Sequence, residues 1–319
     1  MVDISLMIEG QNGLTWPHWK PLVVEVEALG FAGLFRSDHF TNARPPDKDS
    51  LEMIVSLAYL ASHTQRIHFG SLVAPISFRH PSLLARQAAA LDDLSGGRML
   101  LGLGAGWQER EHTLFGYELG SIPTRMARFE EGLEVITRLL HSSDPVSYSG
   151  RFFQLDSATL LPRPQRSGGP PILIGGNGMK RTLPLVARYA TIWNAIALTP
   201  DAFREHCIQL DTLLHAAGRQ PEEVRRTLML TLFFARDEAE LDRRMPRRHN
   251  DPELAHLPFE QTVTQIASTG RALIGNAEQI VTQIAAYKQA GVDELMLQWF
   301  DLDDLDGLRV FAESVLPHL

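Results

Sequence analysis

Residues 66–107 read RIHFGSLVAPISFRHPSLLARQAAALDDLSGGRMLLGLGAGW, and they predict a strand, a helix and a second strand in succession. Residues 66–74 are rich in apolar and small side chains and end at Pro75. Pro81 suits the first position of a helix, because the N–H that it lacks would have no partner there. The spacing of a packed helical face then recurs at Leu84, Ala88 and Leu91.

The second half of this stretch predicts how the helix ends and where backbone is exposed. Gly96 and Gly97 end the helix, since glycine adopts left-handed backbone angles at little cost. Residues 99–103 form a short apolar strand, and Gly104, Ala105 and Gly106 follow it directly. Two buried strands joined by a helix form a parallel βαβ unit. The glycines at its end leave room for a flat or anionic ligand.

The composition narrows the class of protein. The chain has 319 residues, of which 44% are hydrophobic and 21% charged, as expected of a globular protein. A net charge of −8 disfavours broad binding to nucleic acid or acidic membranes. The one cysteine, Cys207, excludes an internal disulfide and a cysteine-based metal cluster. No stretch approaches the roughly 20 apolar residues of a spanning helix, so a cytoplasmic protein is expected.

Strands and helices alternate along the whole chain. Eight strands are predicted, at residues 4–8, 31–36, 66–74, 99–103, 172–174, 191–195, 226–235 and 294–299. A hairpin at 146–155 and an irregular segment at 236–270 interrupt the alternation after strands four and seven. Asn276 and Gln279 predict a capping box for a helix over 277–290. Eight strand–helix units are the number in an α/β fold of the (β/α)8 TIM-barrel type.

The central stretch also carries a resemblance to the luciferase-like monooxygenase superfamily, in particular its branch of deazaflavin (coenzyme F420)-dependent oxidoreductases. The residues that match the family pattern are Arg66-Ile67, Gly70, Pro75, Arg79-His80-Pro81, Leu91-Asp92, 95–98, 102–107 and Glu111. The likeness continues over nearly the whole chain. It implies a single luciferase-like TIM-barrel domain over residues 1–319, in which residues 236–270 form an insertion or lid, and it implies a homodimer.

The C-terminal ends of the strands, where such barrels place their sites, suit an organic cofactor. They supply Glu9, Gln11, Asp38, His39, residues 71–75, 104–107 and 175–178, Asn194, Gln298 and Trp299. This set lacks a cluster of carboxylates and histidines fit to hold a catalytic metal. It also lacks a strand-end lysine for Schiff-base chemistry. A flat cofactor in an apolar slot fits the set better.

Asp38 and His39 are the candidate catalytic residues. A histidine can accept or donate a proton near neutral pH. The resemblance implies that this Asp-His pair lies near the redox ring, where His39 exchanges the proton and Asp38 orients the loop. The alternative is a strand-ending pair that only caps a helix.

The cofactor-binding residues are predicted in three segments. Residues 175–178 precede a helix, where free N–H groups and the helix dipole favour an anion, and the resemblance assigns the cofactor phosphate to them. The resemblance also implies a non-proline cis peptide at Ser71-Leu72 that bulges against the ring. The complete set is Ser71, Leu72, Gly104, Ala105, Gly106, Trp107, Gly175, Gly176, Asn177, Gly178 and Met179.

Two further features bear on specificity. Trp107 departs from some deazaflavin dehydrogenases of the family, which carry a glutamate there, and this argues against a sugar-phosphate or alcohol substrate like theirs. Trp107 is predicted either to wall the ring slot or to be an ordinary core or rim tryptophan. A basic cluster in the lid either meets the acidic tail of F420 or is a solvated helix face; it comprises Arg243, Arg244, Arg247 and Arg248.

The resulting hypothesis is hydride transfer between coenzyme F420 and a small organic substrate. One alternative keeps the barrel and uses FMN, oxygen and a separate flavin reductase, which makes the protein a two-component monooxygenase. A second alternative is a barrel that binds flavin without turnover. A metal-dependent hydrolase is disfavoured by the residues at the strand ends.

Overall fold

The computed structural model describes residues 2–244, 257 and 259–319. Within these ranges the strands are β1 (Asp3–Ile8), β2 (Gly33–Arg36), β3 (His68–Ser71), β4 (Ala74–Pro75), β5 (Met99–Gly104), β6 (Val146–Ser149), β7 (Gln154–Ala158), β8 (Ile172–Gly175), β9 (Ile192–Ile196), β10 (Arg225–Phe234), β11 (Ala272–Gly275) and β12 (Glu294–Gln298). The helices are α1 (Trp16–Ala28), α2 (Met53–His63), α3 (Pro81–Leu94), α4 (Glu109–Phe115), α5 (Ile122–His141), α6 (Thr182–Tyr189), α7 (Pro200–Ala216), α8 (Glu238–Arg244), α9 (Phe259–Ser268), α10 (Ala277–Gln289) and α11 (Leu305–Val315).

Eight parallel strands close into a barrel, which confirms the predicted (β/α)8 fold. The order of hydrogen-bonded neighbours is β12, β1, β2, β3, β5, β8, β9 and β10, and β10 pairs again with β12 to close the ring. The strands are short apolar runs, and all four residues of β2 are buried. Such runs suit strands that are covered on both faces.

Side chains alternate between the two faces of the barrel wall, as the pleat of a strand requires. In β1, Leu6 and Ile8 pack in the large core between strands and helices. Met7 belongs to a separate cluster, composed of Met7, Phe35, Leu72, Leu173, Ile192 and Met296. The members of this second cluster come from six different barrel segments, so they fill the barrel interior below the strand ends.

Several local predictions are confirmed. Pro81 occupies the first turn of α3. Gly96 and Gly97 lie just after the C-terminal end of this helix, with φ angles of +67° and +91°. The Asn276 side chain accepts from the Gln279 N–H at 3.1 Å, and the Gln279 side chain accepts from the Asn276 N–H at 2.9 Å. The predicted hairpin is the antiparallel pair β6 and β7.

The third strand differs from its prediction. It leaves the sheet after Ser71 and rejoins it as β4, and the non-proline cis peptide between these two pieces is Leu72–Val73. The position implied by the resemblance, Ser71-Leu72, is therefore wrong by one residue. We call residues 71–73 the bulge.

The sequence reading also missed helix α4 and strand β11. Strand β11 pairs with the last four residues of β10, beyond the part of β10 that pairs with β12. Of the predicted lid, α8 and α9 are described, whereas residues 245–256 and 258 lie outside the described residues. One domain with a lid at 236–270 thus stays a prediction. Within the described ranges, no helix combines the length and apolar character needed to cross a membrane.

A buried carboxylate stabilises the N-terminal end of the barrel, away from the predicted site. Glu294 is 1% exposed, and its Oε1 accepts from the Ser5 hydroxyl and lies 3.0 Å from His68 Nε2. Arg225 Nη2 lies 3.4 Å from Glu294 Oε2. Burial alone would raise the pKa of Glu294, but the hydrogen bond and charge of His68, together with Arg225 and Ser5, lower it. The network links β1, β3, β10 and β12.

We expect Glu294→Gln to lower the free energy of unfolding at neutral pH by about 1–3 kcal/mol, because it removes the charge that His68 and Arg225 face. A lowered carboxyl pKa contributes stability above its unfolded value and loses that contribution as the pH falls through the folded value. The difference from wild type should therefore shrink in acid. Urea unfolding at neutral and at acidic pH measures this difference. Glu205→Gln, at an exposed position, is the control. Equal stability of Glu294→Gln and wild type at neutral pH would contradict the prediction.

Candidate active site

A cavity of about 500 Å³ opens at the C-terminal ends of the barrel strands. Its lining comes from seven strand ends and the loops that follow them, so the closed barrel brings together residues that are far apart in sequence. The lining residues are Glu9, Gln11, Ser37, His39, Leu72, Val73, Pro75, Gly104, Ala105, Gly106, Trp107, Glu111, Gly175, Gly176, Asn194, Ile196 and Met229.

The bulge forms one wall of the cavity, and glycines on neighbouring strands make room for it. A Cβ on Gly104 would lie 2.6 Å from Val73 Cγ2, and one on Gly175 would lie 3.0 Å from Val73 Cγ1. A Cβ on Gly102 would overlap the backbone oxygen of Ser71. The spaced glycines of β5 therefore exist because the bulge crosses directly over that strand.

His39 is held at the cavity by a buried glutamate. His39 Nδ1 lies 2.7 Å from Glu111 Oε1, and the Phe40 N–H donates to Glu111 Oε2 at 2.9 Å. The Glu111 side chain is 1% exposed and the His39 side chain is 16% exposed. Both oxygens of the carboxylate are thus engaged by the loop after β2, which orients the imidazole and leaves its Nε2 as the nitrogen available to a ligand.

The pKa of His39 is raised by its surroundings. Burial alone would lower it, but the hydrogen bond and the charge of Glu111 outweigh burial, and the charges of Glu9 and Asp38 act in the same direction. The imidazole consequently keeps its proton to a higher pH than a free histidine does. A histidine of this kind can donate a proton near neutral pH.

Asp38 does not line the cavity, although it was predicted with His39 as a catalytic residue. Its carboxylate pairs with Arg79, whose Nη1 lies 2.5 Å from Asp38 Oδ2, and Arg79 also reaches Glu52 at 2.7 Å. Burial raises the pKa of Asp38, while the charge and hydrogen bond of Arg79 oppose that shift. The carboxylate therefore fastens the loop after β2 to the loop before α3, which corresponds to the orienting role.

The polar side of the cavity is a chain of hydrogen bonds. Gln298 Nε2 donates to Glu9 Oε1 at 2.6 Å, and Gln11 Nε2 donates to Glu9 Oε2 at 2.8 Å. The Ser37 hydroxyl donates to Gln11 Oε1 at 2.7 Å. On another strand, Asn194 Nδ2 donates to Thr227 Oγ1 at 2.9 Å. These contacts fix the Glu9 carboxylate and the amides at defined positions.

The turn after β8 is held in place by side chains and backbone of β9. Trp193 Nε1 donates to the Gly176 carbonyl at 2.9 Å, and the Trp193 ring stacks on Phe203. The Asn177 side chain donates to Ile196 O at 2.7 Å and accepts from Ile196 N at 2.9 Å. A Cβ on Gly178 would lie 2.7 Å from Thr182 Oγ1, so this glycine allows the turn to pack against the start of α6.

The structure gathers part of the predicted set around the cavity. His39, Leu72, Gly104 to Trp107, Gly175 and Gly176 line it, whereas Ser71, Asn177, Gly178 and Met179 do not. Ser71 is turned to the Gly102 carbonyl, to which its hydroxyl donates at 2.7 Å. Glu111 was part of the family pattern but had no role. Val73 and Pro75 fell within the predicted strand-end residues 71–75 but were not assigned to the cofactor, and the wall residues missed from the sequence are Ile196 and Met229.

The predicted basic cluster is described only in part. Arg247 and Arg248 lie outside the described residues. Arg244 is engaged within the protein, since it lies 2.7 Å from Glu240 Oε1 and 2.5 Å from Asp304 Oδ2. This guanidinium fastens α8 to the start of α11, and it is therefore less available to an acidic cofactor tail than the sequence suggested.

Fold and site together define a (β/α)8 barrel protein with a ligand cavity at the C-terminal ends of its strands. The chain belongs to the luciferase-like monooxygenase family, whose profile matches residues 6–294. It is 28% identical to an F420-dependent glucose-6-phosphate dehydrogenase of Amycolatopsis mediterranei, over 93% of this chain and 92% of the relative.

Two solved structures have the same fold. An F420-dependent secondary alcohol dehydrogenase, solved with an F420–acetone adduct, superposes with a TM-score of 0.84 at 19% identity, over 99% of this chain and 98% of that one. A monooxygenase of Streptomyces bottropensis superposes with a TM-score of 0.82 at 22% identity, over 99% of both chains. The fold is therefore shared by enzymes of two different redox chemistries.

Proposed function

We propose that this protein is a coenzyme F420-dependent oxidoreductase that transfers a hydride between the deazaflavin and a small organic substrate. The observation that carries the proposal is the histidine His39, which a buried glutamate holds at the wall of an apolar cavity. The relative from Amycolatopsis mediterranei is named for the same cofactor and aligns over 93% of this chain.

The residues at the cavity fit a flat ring. A volume of about 500 Å³ suits a tricyclic ring with room for a small substrate. A side chain at Gly104 or Gly175 would collide with Val73. Because both positions are glycines, the backbone of two strand ends and the Val73 side chain together form a flat wall. We propose that Leu72, Val73 and residues 104–107 contact the ring.

The turn after β8 fits a phosphate. The N–H groups of Gly178, Met179 and Lys180 donate to no partner within the described part of the chain. They precede α6, where the helix dipole favours an anion, and the side chains of Lys180 and Arg181 are exposed beside them. Although Asn177, Gly178 and Met179 lie off the cavity lining, we assign them with Gly175 and Gly176 to the cofactor phosphate.

When bound, the deazaflavin supplies two-electron hydride chemistry. The chain supplies position, a dry pocket and a proton. Glu111 engages His39 Nδ1 and leaves Nε2 for a ligand, and the raised pKa keeps the proton on the imidazole to a higher pH than in a free histidine. His39 Nε2 then gives this proton to a substrate that gains a hydride, or accepts one from a substrate that loses a hydride.

The first test is a parallel titration of the apo protein with the deazaflavin and with FMN, followed by tryptophan fluorescence. Trp107 lines the cavity, so a bound ring should quench its emission. We expect the deazaflavin to bind at least about 10-fold more tightly than FMN, and Trp107→Phe should reduce the amplitude of quenching. Tighter binding of FMN would contradict the proposal.

An FMN-dependent monooxygenase is the second candidate, because the monooxygenase of Streptomyces bottropensis shares the fold. It would require a separate flavin reductase, and the same titration separates the two. A cytoplasmic location and a homodimeric assembly belong to the main proposal. Light scattering on the purified protein measures the assembly.

A further inference from the structure

The cavity carries negative charge. Among its described lining residues the ionisable side chains are Glu9, Glu111 and His39, and none is a lysine or an arginine. Two amides hold the Glu9 carboxylate, and His39 holds that of Glu111. Even when His39 is protonated, these three groups together keep one net negative charge.

Two of the arginines around the cavity are paired with carboxylates. Arg79 pairs with Asp38 and Glu52, and Arg110 pairs with Asp47 at 2.6 Å. Arg125 is not a lining residue; its Nη1 donates to the Gly106 carbonyl at 3.1 Å, and its buried Nε has no hydrogen-bond partner within the described residues. Lys180 and Arg181 lie beside the turn assigned above to the cofactor phosphate. The described lining therefore offers a substrate no lysine or arginine, and its one histidine, His39, is already paired with Glu111.

Apolar side chains make up much of the remaining wall. They are Leu72, Val73, Pro75, Trp107, Ile196 and Met229. Trp107 is 62% exposed, and its ring meets the His39 ring edge to face with centroids 5.7 Å apart. A flat apolar surface thus stands directly beside the group proposed to exchange the proton. Aromatic surfaces of this kind bind apolar, planar molecules well.

We propose that the substrate is a neutral molecule with an apolar body, that Trp107 selects it, and that the carboxylates of Glu9 and Glu111 reject phosphorylated molecules. The inference rests on the proposed function, and it separates this chain from the relative that is named for a sugar phosphate. A phosphate dianion would lose its water and meet two carboxylates, and the one group there that can be cationic, His39, is already paired with Glu111. Like charges placed together in this way suppress a wrong ligand.

The test measures binding of four probes to the cofactor-loaded protein: benzyl alcohol, benzyl phosphate, glucose and glucose 6-phosphate. The four probes vary the apolar or polar character of the molecule and the presence of a phosphate independently. The absorption of the bound cofactor reports binding without turnover. We expect benzyl alcohol to bind at least about 10-fold more tightly than benzyl phosphate, and neither sugar to bind detectably at millimolar concentration. Binding of benzyl phosphate that is as tight as that of benzyl alcohol, or detectable binding of glucose 6-phosphate, overturns the inference.

Trp107→Arg examines the same idea from the protein side. It replaces the apolar surface with a cation, so benzyl phosphate should gain at least about 10-fold relative to benzyl alcohol. Ile208→Arg is the matched control, because Ile208 is also 62% exposed and lies on α7 outside the cavity lining. An unchanged ratio in Trp107→Arg overturns the selective role of Trp107. The absorption of the bound cofactor reports the ratio in this variant.

A second variant and a separate readout keep the result interpretable. Glu9→Gln removes one carboxylate charge and keeps the length of the side chain, so it should raise the affinity for benzyl phosphate. This test remains available if Trp107→Arg does not fold. An unchanged affinity in Glu9→Gln overturns the role of the carboxylates. Cofactor affinity is measured on every variant. A wild type that binds FMN better but ranks the four probes as expected contradicts the proposed function and supports the substrate class.

Discussion

Replacing His39 with alanine is expected to slow hydride transfer by about 10²–10⁴-fold and to leave cofactor affinity unchanged. The reason is geometric: the imidazole lies at the cavity wall, where Glu111 engages its Nδ1 and leaves its Nε2 available. Transient-state absorbance of the deazaflavin measures the transfer, and fluorescence titration measures the affinity. His63→Ala, at the exposed end of α2, is the control. A His39→Ala protein with wild-type rates would contradict the proton-exchanging role of His39. A wild-type protein that binds the deazaflavin but transfers no hydride would favour the alternative of a barrel that binds flavin without turnover.

The pH dependence tests how Glu111 acts. Reduction of a substrate needs protonated His39, so the rate should be constant below the raised pKa of His39 and fall as the pH rises through it. Glu111→Gln keeps a hydrogen-bond acceptor but removes the charge that raises this pKa. Its profile should therefore move to lower pH while the low-pH plateau is largely kept. A profile that does not move would show that Glu111 serves only to support the loop.

The second large effect is expected from Gly102→Ala. The added methyl group would overlap the Ser71 backbone oxygen and also lie 3.4 Å from Val73 Cγ1. Since a backbone atom cannot turn away as a side chain can, either β5 or the bulge must shift. We expect the free energy of unfolding to fall by about 1–3 kcal/mol or more and the affinity for the deazaflavin to be lost.

Urea unfolding and the fluorescence titration measure the two effects separately. Gly218→Asn is a suitable control, because Gly218 has a φ of +74°, an asparagine tolerates that conformation, and a Cβ there would meet nothing within 4 Å. Near-normal stability and cofactor binding in Gly102→Ala would show that the bulge is not needed to shape the site.

The sequence by itself determined most of the elements and their type, although not α4 or β11. Strand and helix periods depend on neighbouring residues, so the eight barrel strands, the capping box of Asn276 and the end of α3 at Gly96 were all predictable. The same reading placed Glu9, His39, Gly104 and Asn194 at strand ends, where the cavity lies. Barrel topology then requires that these ends meet at one face.

Only the tertiary structure decided which side chains work together. Glu111 lies 72 positions after His39, and a period or a spacing cannot show that its carboxylate reaches the imidazole. Asp38, adjacent to His39, is directed to Arg79 instead, because successive residues of an extended chain point to opposite sides. The cis peptide lies at Leu72–Val73, within a bulge that fits over Gly102 and Gly104, and that fit exists only once β3 and β5 are packed together.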